Sequence, residues 1–207
     1  AAAARDAGRF AEEIVGVSVK TRKGEVVIDR DEHIKEGSTM ESLLKLRPAF
    51  KKNGTVTAAN ASGINDGAAS VVVASEAYVK EQSLKPIAKI VSWGVAGVDP
   101  TIMGIGPVPA IKQALQKADL TLADMDLVEV NEAFAAQYLA VEKELDLDRS
   151  KTNVSGGAIA LGHPVGASGT RVVINAAYEL RRRGGRYAVC SLCIGGGQGI
   201  ALVIEAE

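Results

Sequence analysis

Cys193, His163 and Asn131 are the residues of this chain best suited to doing chemistry, and each stands just after a strand-like run or in the loop beyond one. A free thiol with a pKa of about 8.5 is mostly protonated near neutral pH, and only its thiolate is strongly nucleophilic or basic. An imidazole placed beside it can take that proton and give it back. Glycines flank two of the three. His163 lies in Asn153-Val-Ser-Gly-Gly-Ala-Ile-Ala-Leu-Gly-His-Pro-Val-Gly-Ala-Ser-Gly169, and Cys193 opens Cys-Ile-Gly-Gly-Gly-Gln-Gly. Backbone this free of side chains can bring N–H groups close to a developing oxyanion. The plainer alternatives are a tight turn with a satisfied histidine, an inert buried thiol, an asparagine that closes a strand, and a Glu132 that caps a helix.

Other chemistries fit less well. Cys190 and Cys193 have the C-x-x-C spacing of redox and zinc sites, but residues three apart on a strand point to opposite faces. The glycines lack the lysine of a phosphate loop. Gly195 to Gly199 also opens a strand, where a dinucleotide fingerprint needs a helix. The second histidine, His33, falls in a polar stretch and is expected to be solvated.

The elements that must hold these loops are legible from residue 85 onward. Ile87 to Val95 reads as a strand. A helix follows Gly106, opened by Pro107 and Pro109, with Val108, Ile111, Leu115 and Ala118 on one face. Leu127 to Val130 is a short buried strand, and Phe134, Tyr138, Val141 and Leu145 define the next helix. Val172, Val173, Ala176 and Leu180 define a third, and Tyr187 to Leu192 and Ile200 to Ile204 are two strands free to be antiparallel. The order predicts helices on both faces of one mixed sheet, with the three loops along one edge. Arg181, Arg182 and Arg183 close the third helix, where they complement its dipole.

Upstream the chain is more polar. A helix is expected over Ala1 to Ile14, a hairpin over Val17 to Ile28 around Lys23-Gly24, and a helix after the capping box Ser38-Thr39-Met40-Glu41. Asn65-Asp66-Gly67 marks a turn before an apolar run, Val71 to Ala74, that reads as buried; Ser75 caps a helix to about Ser83. With 24 basic and 25 acidic residues and no long like-charge run, nothing asks for nucleic acid or an anionic membrane. No apolar run approaches the roughly 20 residues that span a bilayer, and Ala1 to Ala4 lead into a charged pattern unlike a secretory signal.

The segments Asn131-Glu-Ala-Phe-Ala135, Gly156 to Gly169 and Cys193 to Gly199 closely resemble signature blocks of the C-terminal half of thiolases, the acetyl-CoA acetyltransferases and 3-ketoacyl-CoA thiolases. Gly54 to Ala69 and Ile102 to Ala110 also resemble thiolase segments, so the likeness runs the length of the chain. It implies an α/β, thiolase-like layered fold, a mixed sheet with helices on both faces. Residues 1–54 would be part of the loop (lid) region, 55–83 the last strand and helix of the N-terminal domain, and 84–207 the C-terminal domain.

The resemblance also implies thiolysis of 3-ketoacyl-CoA, or condensation of two acetyl-CoA. Cys193 would be the acid/base cysteine. His163 would activate the nucleophile and help hold the thioester oxygen, Asn131 would fix a water there, and the Gly195 N–H would serve a second oxyanion hole. Ser62, Met103, Ala133 and Phe134 match positions lining the pantetheine tunnel. Lys35 stands where relatives often carry arginine near the nucleotide. Coenzyme A would be substrate, with no resident cofactor and no metal. The family's nucleophilic cysteine belongs to the first half, and neither Cys190 nor Cys193 has its context. The expectation is therefore a half-site, partnered by acyl-CoA and the missing N-terminal half, within a homo-oligomer of the mitochondrial matrix or cytoplasm. Two rival readings are a non-catalytic coenzyme A binding or assembly module and a Cys190/Cys193 redox protein.

Overall fold

The computed structural model describes residues 1–207. The chain opens with α1 (Ala2–Asp6), and turns replace the expected continuation to Ile14. Gly8 accounts for the break, because its φ of +71° is a left-handed conformation that ends a helix. The expected hairpin forms from β1 (Val17–Thr21) and β2 (Gly24–Ile28), paired antiparallel and exposed throughout. α2 (Met40–Leu44) is capped by Thr39 rather than Ser38, in a reciprocal box with Ser42, while the Ser38 hydroxyl donates to the Lys35 carbonyl at 2.9 Å.

The run Val71 to Ala74 corrects the sequence reading. It forms no strand and is exposed, Val72 at 96% and Val71 at 50%, so the chain buries none of it. Its apolar character argued for burial, but burial needs a neighbour. α3 (Glu76–Glu81) follows, capped by Ser75 as expected.

From here the sheet-forming order holds. β3 (Ala88–Gly97) leads through a 3-10 turn (Pro100–Ile105) to α4 (Pro107–Lys117); β4 (Leu127–Val130) leads to α5 (Ala135–Leu145); then come α6 (Ala158–Leu161), α7 (Ser168–Arg183), β5 (Tyr187–Ile194) and β6 (Gln198–Ala206). Phe134 is not part of the α5 stripe. It precedes the helix in an extended conformation.

The sheet order is β3-β6-β5-β4, with β4 and β5 parallel and β6 antiparallel to both its neighbours. α4 and α5 cover one face, where Val108, Ile111, Leu115, Val141 and Leu145 cluster with Val128, Val130, Val189 and Val203. α7 covers the other, through Val172, Ala176 and Leu180 against Leu127, Ala188, Cys190 and Ile204. Each valine, leucine or isoleucine among them taken fully out of water contributes about 1.5–3 kcal/mol, so these two layers hold the body together.

α7 ends at Gly184, whose φ is +65°. The arginines there do more than complement the helix dipole. Arg182 and Arg183 ion-pair with Glu179, a carboxylate only 2% exposed, and Arg9 reaches the same group at 3.5 Å.

Candidate functional site

The site grows from the parallel pair β4 and β5, whose carboxyl ends lie side by side. Asn131 follows β4 directly, and its N–H donates to the Ser191 carbonyl of β5 at 2.9 Å. Two residues further along β5 is Cys193. Its neighbours in the pleat confirm the expected alternation: Cys190 points into the α7 layer, while Val189, two pleats before Cys193 on the same face, points towards α4 and α5. Both thiols are free.

The glycine loop is pinned to the same end of the sheet. The Asn153 side chain imitates a strand residue: its Oδ1 accepts from Val130 N and its Nδ2 donates to Val130 O, each at 2.9 Å. Its amide also reaches Glu132 Oε1 at 3.2 Å. Glu132 does cap a helix, though not the one that follows it: its Oε2 accepts from Ile159 N, in the first turn of α6, at 3.3 Å. Gly157 makes this possible, since a Cβ there would lie 2.2 Å from the Glu132 carboxyl carbon.

After α6 the chain turns at Gly162, with φ +92°, where a Cβ would sit 2.4 Å from Asn65 Oδ1. That turn delivers His163. Its backbone pairs with residues 63–65: His163 N donates to the Gly63 carbonyl at 3.0 Å and lies 3.4 Å from Asn65 Oδ1. The ring Nδ1 is 2.6 Å from Ser168 Oγ, and Nε2 is 3.4 Å from Asn131 Nδ2. Asn131 is 1% exposed, and its Oδ1 has no hydrogen-bond partner in the protein. Two of the three residues singled out in the sequence are therefore in contact, and the third closes the neighbouring strand.

Electrostatics favour neutral groups here. Burial, helped by the positive charge of Arg171, pushes the His163 pKa below its ordinary value. Burial pushes the Cys193 thiol up, partly opposed by a backbone hydrogen bond. Behind the site, Glu129 is enclosed between β4 and α7 with Oε1 unpartnered. Burial raises its carboxyl to about 8, and Arg171 opposes that shift. The Gly195 N–H finds no backbone acceptor in the chain, and space beside Gly195 is open.

Three of the residues matched to a pantetheine tunnel are brought together. Ser62 N donates to the Ala133 carbonyl at 3.0 Å, and Phe134 pairs with Ala61. Phe50 meets the Phe134 ring edge-on, at 6.1 Å between centroids. Met103 is half-buried in the 3-10 turn before α4, whereas Lys35 is exposed and its side chain makes no hydrogen bond or ion pair. His33 corrects an expectation. It is half-buried, with Nδ1 3.0 Å from the Ala160 carbonyl in α6.

Sequence reasoning missed Asn65, Ser168 and the pinning by Asn153, although all three lie in or beside the glycine-rich segments that carry the site. Asn65 was legible only as a turn former, and Ser168 only as a small residue at a helix start.

The family model for the thiolase C-terminal domain matches residues 84–206, and that for the thiolase N-terminal domain matches residues 1–77. The chain belongs to the thiolase family. Among curated thiolases it is 62% identical over 204 residues to the mitochondrial 3-ketoacyl-CoA thiolase of Homo sapiens, covering 99% of this chain and 51% of that one. It is 57% identical over 205 residues to the acetyl-CoA acetyltransferase of Rhizobium meliloti (strain 1021), covering 99% and 52% respectively. The crystal structure of human mitochondrial 3-ketoacyl-CoA thiolase superposes with a TM-score of 0.93 at 57% identity, over 100% of this chain and 52% of that one. The acetyl-CoA acetyltransferase of Bacillus anthracis superposes with a TM-score of 0.98 at 55% identity, over 100% and 52%. The mixed α/β fold is thus a thiolase fold, and this thiolase chain spans about half the length of the relatives it matches.

Proposed function

We propose that this chain supplies one side of a thiolase active site, which transfers acyl groups between coenzyme A thioesters by thiolysis of a 3-ketoacyl-CoA or by the reverse condensation. The observation that carries this reading is the 3.4 Å approach of Asn131 Nδ2 to His163 Nε2 at the end of the sheet where Cys193 closes β5. An α proton of a thioester is weakly acidic, so a base and oxyanion donors must act together to remove it. Cys193 is the proton carrier in this scheme: its thiol protonates the coenzyme A thiolate that leaves as the acyl group moves to the nucleophilic sulfur, and the resulting Cys193 thiolate takes the α proton of the second thioester. His163 accepts the proton of the nucleophilic thiol and then, as N–H, holds the thioester oxygen; Asn131 lies beside it with a free carbonyl oxygen to order a water. The open N–H of Gly195 serves the second oxyanion. Carbon–carbon bond formation displaces the nucleophilic sulfur as thiolate, which takes back the proton held by His163.

Ser62, Ala133 and Phe134, with Met103, form the pantetheine wall in this reading, and Lys35 contacts the nucleotide end. Coenzyme A is substrate rather than resident cofactor. Residues 1–54 act as lid and 55–83 as the end of the N-terminal domain, with 84–207 as the C-terminal domain. The rest of a thiolase chain, carrying the nucleophilic cysteine, completes the site within a homo-oligomer. The mitochondrial relatives favour the matrix as its compartment.

Mass analysis of the chain after incubation with acetyl-CoA tests this directly, beside Cys193→Ala. Neither cysteine becomes acetylated, and supplying the N-terminal half of a thiolase yields turnover that Cys193→Ala abolishes. Acetyl on Cys193 would overturn the division of labour. Acyl-CoA affinity without turnover in the supplemented protein would instead favour a non-catalytic binding module.

A further inference from the structure

We propose that Ser168 is a positioning residue that fixes the tautomer of His163, holding the proton on Nδ1 and leaving Nε2 bare to face the reacting thiol. For its catalytic consequence, though not for its geometry, this inference rests on the acyl-transfer reading above.

Ser168 is fully buried at the start of α7. Its hydroxyl donates to the Pro164 carbonyl at 3.0 Å, an oxygen that also receives the amides of Ala167 at 2.8 Å and Ser168 at 2.9 Å. A serine hydroxyl carries one hydrogen. With that hydrogen directed to Pro164, Oγ meets His163 Nδ1 at 2.6 Å as an acceptor, and this arrangement places the proton on Nδ1. A neutral imidazole has only one such proton, so Nε2 is left as a lone pair. The atom that faces Nε2 agrees: Asn131 Nδ2 is a donor, 3.4 Å away. The hydrogen bonds therefore run in one direction, from Asn131 through His163 and Ser168 to Pro164. Burial and the charge of Arg171 both act against protonation of the ring, which keeps this neutral form in place.

An isolated neutral histidine prefers the opposite tautomer, with the proton on Nε2. That form could not take a proton from a thiol at Nε2. In the orientation set by Ser168, the S–H bond of the incoming thiol breaks as an Nε2–H bond forms, giving thiolate and imidazolium. The new Nε2–H is then the donor that meets the thioester oxygen, and it returns its proton to the departing thiolate. Nδ1–H never leaves Ser168. One nitrogen serves as base and then as oxyanion donor because the other is occupied throughout.

His33 supplies an internal standard. Its Nδ1 lies 3.0 Å from the Ala160 carbonyl, which can only accept, so His33 also carries its proton on Nδ1. Its partners do not include Ser168.

The test is a long-range proton–nitrogen correlation spectrum of the uniformly nitrogen-15-labelled chain, recorded where both histidines are neutral and assigned with His33→Gln. The wild type is expected to show a pyrrole-type Nδ1 and a pyridine-type Nε2 for His163. In Ser168→Ala, the His163 Nε2 signal moves towards the pyrrole type while His33 stays unchanged, and Ser168→Thr restores the wild-type pattern. A wild-type His163 protonated on Nε2 overturns the proposal, as does an unchanged tautomer in Ser168→Ala with the His33 signal intact. If Ser168→Ala loses the His33 signal through misfolding, the wild-type spectrum alone still decides. The readout is proton position rather than turnover. A chain with Nδ1–H that never supports acyl transfer would sink the proposed function and leave the tautomer assignment standing.

Discussion

Residues 1–83 and residues 84–207 are both rich in apolar side chains, yet only Ala4 and Phe10 are buried in the first region, whereas the second contains nearly the whole core. The difference lies in spacing and neighbours. α4, α5 and α7 place apolar residues at helical intervals against a four-stranded sheet, so each stripe meets a complementary face. Val71 to Val73 form a contiguous run with no complementary apolar face that buries them. Apolar composition sets what a segment can gain from burial. Geometry decides whether it does so.

The contrast is broken most directly by truncating one residue from each region. Ile111→Ala, at a fully buried position, is expected to cost about 2–5 kcal/mol in chemical denaturation, against a few tenths for Val72→Ala at 96% exposure. Equal losses would mean that Val72 is covered in solution.

Next in size is the buried carboxyl of Glu129. Its folded pKa of about 8 lies above the ordinary value of 4.5, so between these limits the folded state binds more protons than the unfolded chain. The stability this group contributes is therefore fully present below pH 4.5 and falls as pH rises to about 8, by up to about 1.4 kcal/mol per pH unit. Glu129→Gln is expected to flatten that decline in denaturation curves taken across the range. A decline of unchanged slope would show that another group causes it.

The seam between the regions is sharpened by Arg9→Ala. Arg9 is one of three arginines on Glu179, at 3.5 Å and 35% exposed, so its removal should cost less than about 1 kcal/mol. Glu179→Ala, which leaves Arg182 and Arg183 without their shared carboxylate, should cost clearly more in the same assay. Reversal of that order would place most of the energy in the contact between regions.

The smallest effect concerns His163. Burial is the main cause of its lowered pKa and Arg171 the second. An NMR titration should find its midpoint below 6.5, and Arg171→Gln should raise it only part of the way back. Because the folded pKa is depressed, the stability this group contributes is present at neutral pH and is lost as pH falls through that midpoint.

These regions also differed in how well the sequence could be read. α4, α5 and α7 and the strands between them were legible because a helix stripe or a buried strand is a local pattern. The three chemical loops were legible for the same reason, as strand ends, two of them rich in glycine. What escaped was long-range. The local sequence around His33 reads as solvated because its partner, Ala160, lies 127 residues away along the chain. Asn65 meets His163 across 98 residues. The capping by Glu132 was foreseen in kind, but its object, α6, could not be, because only the folded glycine loop brings that helix back to β4. Val71 to Ala74 failed in the opposite direction, since a correct local pattern lacked the partner it needed.

The parallel register of β4 on β5 has a kinetic consequence. Leu127 pairs with Ala188 and Val130 with Ser191, so this four-residue ladder closes only after the intervening helices and the glycine loop have been gathered in. Closing a loop of that length costs entropy before any pairing rewards it, whereas β5 and β6 join through a tight turn and α7 forms from local contacts. Asn131 and Cys193 stand at the ends of those two parallel strands. Their juxtaposition is thus expected among the last events of folding, and a destabilised chain would lose it first while most of its helix content survived.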